Sequence, residues 1–181
     1  GAPRQSGVGI DRADDTSFTY PPILNGDIDG CAADETGGWY ISAHYTNATT
    51  QPLVHVLSDG TLDPDWAPTA QGTILAYTPG RLIIQDTQRN LWGLDTTAGG
   101  TAYWEVSKLD KVVTASALAN GTLYIGGQFT TMSNLPHLQL AAVDATTGVV
   151  SGFEREHRHD HEQAQHAHGE NGRQRDTGAT L

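Results

Sequence analysis

The sequence is poor in cysteine. Cys31 stands alone, so no disulfide forms within the chain. It contains no apolar run of the about 18 residues that a membrane-spanning helix needs. Basic residues are scarce as well, with 10 Lys and Arg against 21 Asp and Glu and a formal net charge of −11. Such a surface repels phosphate backbones and anionic lipid headgroups, which argues against nucleic acid and membrane insertion as modes of action. The hydrophobic share is only 37%, so any core is assembled from short segments. Neither a phosphate-cradling glycine loop nor a Gly-x-Ser-x-Gly nucleophile elbow occurs, and nothing in the chain calls for a cofactor.

Glycine is abundant, at 21 of 181 residues, and it falls where tight turns are expected. Two stretches say the same thing. Gly38-Trp39-Tyr40-Ile41-Ser42-Ala43-His44-Tyr45-Thr46 is echoed by Thr122-Leu123-Tyr124-Ile125-Gly126-Gly127-Gln128-Phe129-Thr130, and a degraded copy lies between them at Arg81–Asp86. Tyr40, Ile83 and Tyr124 thereby recur at intervals of about 42 residues. Short strand-like runs at that period predict an all-β repeat architecture.

Three units follow, at residues 20–70, 71–110 and 111–153, after a polar arm over residues 1–19. In the first, Tyr20–Leu24 predicts an extended lead-in. Trp39–Ser42 and Leu53–Leu57 predict strands, with Asp59-Gly60 as a hairpin turn. The second offers Ile74–Tyr77, Leu82–Ile84, Leu91–Leu94 and Tyr103–Val106. The third offers Val112–Leu118, the turn Asn120-Gly121, Leu123–Gly127, Leu140–Asp144 and Val149–Phe153. Each unit thus predicts a four-stranded antiparallel sheet. Trp66, Trp104 and Phe153 close the three units, either as core aromatics between neighbouring sheets or as a sugar-stacking platform.

Tyr124–Thr130 with Leu140–Gly148 resembles a repeat of secreted bacterial β-propellers, Tyr-(Ile/Val)-Gly-Gly-x-Phe-Thr followed by Leu-Ala-Ala-(Leu/Val)-Asp-x-x-Thr-Gly. Asp59–Trp66 resembles the related delta-sixty variant. The likeness covers about residues 22–153 and departs from the pattern at Ser42-Ala43 and through the second unit. It implies an extracellular or cell-surface propeller, a structural role for Gly126-Gly127, and a turn hydrogen bond from Thr130. It carries over no catalytic residue. Three blades are fewer than the about four to eight that close a ring, so it implies an incomplete propeller, or one completed by another copy through unpaired blade faces.

Past Phe153 the composition changes. Glu154–Leu181 contains no Val, Ile, Met, Phe, Tyr or Trp, and it holds five of the eight histidines: His157, His159, His161, His166 and His168. Three readings are open: a solvated tail without a role, a shift of reading frame, or capture of a metal ion by imidazole.

Other constellations have simpler readings. Asn25–Gly30 has oxygen side chains at alternate positions and resembles the opening of a calcium loop, yet its flanks forbid the two helices, which leaves a turn-rich acidic loop. Asp59, Asp63 and Asp65 suit turns. His55, inside an apolar run, suits a satisfied core position. The expected function is a non-catalytic scaffold or recognition module for protein or carbohydrate, with Met132, Asn134 and His137 as its candidate loop. The alternatives are a dehydrogenase-like or lyase-like propeller with catalytic groups in missing blades, for which Arg81, Arg89 and His44 are the few visible candidates, and metal binding by the tail.

Overall fold

The computed structural model describes residues 9–10, 17–18, 26–45, 53–106, 108–137 and 139–151. Among these it is all-β and contains no helix, hence none long and apolar enough to cross a membrane. Two short strands, β1 (Gly9–Ile10) and β2 (Ser17–Phe18), pair within the stretch expected to be a loose arm. Three antiparallel sheets follow in chain order. The first holds β3 (Gly26–Ala33), β4 (Trp39–Tyr45) and β5 (Leu53–Val56). The second holds β6 (Thr73–Thr78), β7 (Arg81–Gln85), β8 (Leu91–Asp95) and β9 (Ala102–Val106). The third holds β10 (Val113–Ala119), β11 (Thr122–Gly127), β14 (Leu140–Asp144) and β15 (Val150–Ser151). A separate hairpin, β12 (Thr131–Met132) with β13 (Leu135–Pro136), interrupts the third sheet.

Each sheet is a meander in which neighbours in sequence are neighbours in space. The first departs from the four-strand expectation. It has three strands, and where a fourth would lie there is a single bridge from Val56 to Leu62. Of the expected acidic loop, residues 26–30 instead begin the strand Gly26–Ala33, and Asn25 lies outside the described residues. Pairing with β4 overrides the poor strand propensity of Gly and Asp, and a register shift between Ile28 and Gly30 absorbs the extra residue. Cys31 lies exposed on this strand. Asn120 (φ 50°) and Gly121 (φ 74°) form the tight hairpin turn that the dipeptide predicts.

The repeat is physical as well as textual. Tyr40, Ile83 and Tyr124 lie on the second strand of their sheets, opposite Ala32, Ala76 and Ala117 on the first. Side chains alternate between the two faces of a strand, so one face of each sheet looks back along the chain and the other looks forward. Leu82 and Ile84 look back and bury against Tyr40, Leu53 and Trp66. Ile83 looks forward and buries with Leu123, Ile125, Ala141 and Val143. Two apolar cores therefore lie between the three sheets. The first strands β3, β6 and β10 run beside one another, so the sheets fan out from their first strands.

Side chains at one ladder position also tie consecutive sheets. Ser42 Oγ accepts from Ile74 N at 3.2 Å, and Gln85 Oε1 accepts from Val113 N at 2.8 Å. Each bond satisfies a backbone donor at the start of the next sheet. Gly126, at that position in the third sheet, has no side chain to give. The described residues do not close into a ring.

Candidate functional site

The meander sorts its connections into two ends. Turns between first and second strands and between third and fourth strands share one end. Connections between second and third strands share the other with the linkers between sheets.

The first end is acidic, and its carboxylates serve the fold. Asp59 accepts from Thr61, Asp95 from Thr97 and Ala98, and Asp144 from Thr146 and Thr147. Each is held below the ordinary carboxylate range by these bonds. Asp34 is buried among them. Burial works to raise its pKa, but hydrogen bonds from Thr36, His55 and Gly38 outweigh that and hold it at about 2.

His55 is engaged at both ring nitrogens. Its Nε2 lies 3.0 Å from Asp34 Oδ2 and its Nδ1 lies 2.8 Å from Asp63 Oδ2. Tyr40 stacks on the imidazole at 4.3 Å, Trp66 meets its edge, and Tyr77 Oη donates to the Asp34 carbonyl. Burial pushes the Tyr40 hydroxyl up to about 12, against a hydrogen bond with the side chain of Thr96 that lowers it. Buried and saturated, His55 is a clasp within the first sheet, joining β5 to the β3–β4 turn and to the loop after β5, as a core histidine should be. Asp63 also accepts from Asp65 N, so the Asp59, Asp63 and Asp65 group is turn chemistry.

The second end carries the loop singled out from the sequence. Phe129 is fully buried and anchors the loop's start, and Gln139 N donates to Phe129 O at its close. Asp110, in the linker between sheets, clamps the base by accepting from Thr131 N, Thr130 N and Thr130 Oγ1 at 2.8–3.0 Å. Those bonds hold its pKa at about 2, with the Thr131 amide the largest cause. Thr130 thus bonds across to the linker. The β12–β13 hairpin turns on Ser133 (φ 50°) and Asn134 (φ 63°).

The three residues proposed for this loop separate. Met132 is fully buried, bridged to Leu109 in the core, and so is withdrawn from any binding surface. His137 is buried too, and its backbone N donates to Thr130 O. Asn134 alone is exposed. Beside it stands Leu135, 62% exposed, which sequence reasoning missed; an apolar residue beside a turn carries no signal of its own.

The remaining candidates do not converge. Arg81 begins β7, lies 3.5 Å above the Tyr103 ring and pairs with Asp95. Arg89 lies past the other end of β7 and donates to Leu109 O. His44 lies in β4. Trp66 and Trp104 are buried between sheets, and Trp104 Nε1 donates to Ala145 O, which is the core reading. Of the two glycines, Gly127 lacks room for a Cβ beside Val112 O, while Gly126 has it. His157, His159, His161, His166, His168 and Phe153 lie outside the described residues. Among the described residues no group of three His, Cys, Asp or Glu is arranged to hold a metal ion.

No protein-family model matches the chain, and no curated protein matches it. Among solved structures, one similar to it is the crystal structure of BamB from Moraxella catarrhalis, at 16% identity and a TM-score of 0.35. That alignment covers 80% of this chain and 48% of the other, so the chain spans about half the length of that structure. A likeness this slight assigns neither fold family nor function.

Proposed function

We propose that the three sheets are blades of a β-propeller and that the chain is a non-catalytic recognition module for a protein or carbohydrate ligand outside the cell or at its surface. The observation that carries this reading is the β12–β13 hairpin. Its tip presents exposed Asn134 and Leu135, while Met132, Phe129 and the Asp110 clamp fix its base. A polar amide beside an apolar side chain on a rigid support is how binding loops are displayed, because little ordering entropy is lost on contact. The polar groups that do converge, around His55, are occupied with one another and favour a scaffold over a catalyst.

The test is a glycan array together with a displayed-peptide library, probed with the full chain. A hit lost in Leu135→Asp and in Asn134→Asp, and kept in Tyr103→Ala, supports the reading. Turnover of any sugar or alcohol by the chain overturns it in favour of an enzyme. A hit indifferent to both tip substitutions overturns the placement at this hairpin.

A further inference from the structure

Leu53, Leu91 and Leu140 sit at one ladder position in three successive sheets, opposite Ser42, Gln85 and Gly126. Each lies on the forward-looking face. Leu53 is fully buried beneath the second sheet and Leu91 beneath the third. Leu140 is 45% exposed. Around it on the same face lie exposed Ala115 and Ala117, and Tyr124 at 38% exposure. The face is built like the other two, and no further sheet among the described residues covers it.

The chain also carries the kind of surface that covers such a face. It is the backward-looking face of a sheet, with an aliphatic pair on its second strand: Leu82 with Ile84, then Leu123 with Ile125. The first sheet has the same face with Trp39 and Ile41 at those positions. Beside Ile41 in the ladder stand exposed Cys31 and half-buried Val54, while Ala43 and Val56 on the same face are buried, and among the described residues only the short β1–β2 pair precedes this sheet.

We infer that the Leu140 face of one copy of this chain docks the Ile41 face of a second copy, continuing the stacking that joins its own sheets. The inference rests on the repeated-sheet plan and not on ligand binding at the hairpin. The contact is heterologous, because a forward face meets a backward one. Gly126 supplies no side-chain staple of the kind Ser42 and Gln85 provide, so the contact is mainly apolar. A net charge of −11 per chain makes the copies repel, and salt screens that repulsion.

Sedimentation velocity of the full chain under reductant, across concentration and salt, reads this. The expected result is concentration-dependent association that strengthens with salt. Leu140→Asp and Ile41→Asp each weaken it by about tenfold or more. At concentrations where the wild-type chain is half associated, neither variant associates alone. Mixed, they pair through their intact faces and stop at dimers. If Ile41→Asp fails to fold by circular dichroism, Cys31→Asp, at an exposed site on the same face, replaces it. A chain that stays monomeric throughout overturns the inference. So does association that survives Leu140→Asp, association of Ile41→Asp with itself, or a mixture that fails to pair. A monomer that still binds a hairpin ligand rejects this inference and leaves the proposed function standing.

Discussion

Leu91 and Leu140 occupy the same position in consecutive sheets, yet the first is sealed under a neighbouring sheet and the second is 45% exposed. Sequence and local geometry are alike at the two sites, and only the neighbour differs. Truncation should therefore separate them. Leu91→Ala leaves a cavity between the second and third sheets and should cost about 2–5 kcal/mol. Leu140→Ala removes a side chain that makes fewer contacts and should cost under about 1 kcal/mol in the monomer. Denaturant unfolding at low protein concentration reads both. Equal losses would mean that Leu140 is covered in solution.

The carboxylate of Asp34 ties the β3–β4 turn to His55 and so to β5. Its folded value of about 2 lies below its ordinary 3.8, so its bonds stabilise the fold fully above pH about 4. That stabilisation fades as pH falls from about 4 to about 2. Asp34→Asn should flatten the acid limb of a melting curve. At neutral pH it should cost about 3 kcal/mol, because it leaves the His55 side of a buried pair under-satisfied. An unchanged acid limb in Asp34→Asn would show that other carboxylates govern acid unfolding.

Much of the second and third sheets was legible from apolar runs between turns. Leu82–Ile84, Leu91–Leu94 and Leu140–Asp144 each fall within an observed strand; in the first two, burial on both faces writes near-continuous apolar sequence. The strand Gly26–Ala33 was not legible, because its glycines and aspartates owe their conformation to β4 and not to propensity. The candidate site was only partly visible. Met-Ser-Asn-Leu-Pro reads as an exposed turn, and nothing local tells that Met132 folds back onto Leu109. Asp34, His55 and Asp63 meet only once β3, β4 and β5 pair, so their clasp is a product of topology.

Asp110 supports a prediction about the hairpin. It is half-buried in the linker, and it accepts three hydrogen bonds from Thr130 and Thr131. Asp110→Ala should leave global stability nearly unchanged while freeing the loop base, since the sheets do not depend on it. Hydrogen exchange at the Thr130 and Thr131 amides should accelerate in the variant. The same acceleration should appear in the wild-type chain as pH is lowered toward 2, after correction for intrinsic rates, because protonation weakens the same acceptor. Unchanged protection would remove Asp110 as the support of the hairpin.

Two glycines with the same backbone separate strain from crowding. Gly121 and Gly148 both have φ 74°. A Cβ on Gly121 meets nothing within 4 Å, whereas one on Gly148 falls against the Trp104 ring at 2.7 Å. Gly121→Ala should thus cost only the left-handed backbone term, about 1 kcal/mol. Gly148→Ala carries that term and must also displace the indole, which packs between the second and third sheets and donates to Ala145 O. It should cost about 2–4 kcal/mol and make Trp104 more accessible to a fluorescence quencher. The chain has four tryptophans, so the quenching is read as a difference against a Trp104→Phe background. If both glycine variants lose the same stability, the ring has room to move, and the joint between those sheets is looser than its geometry implies.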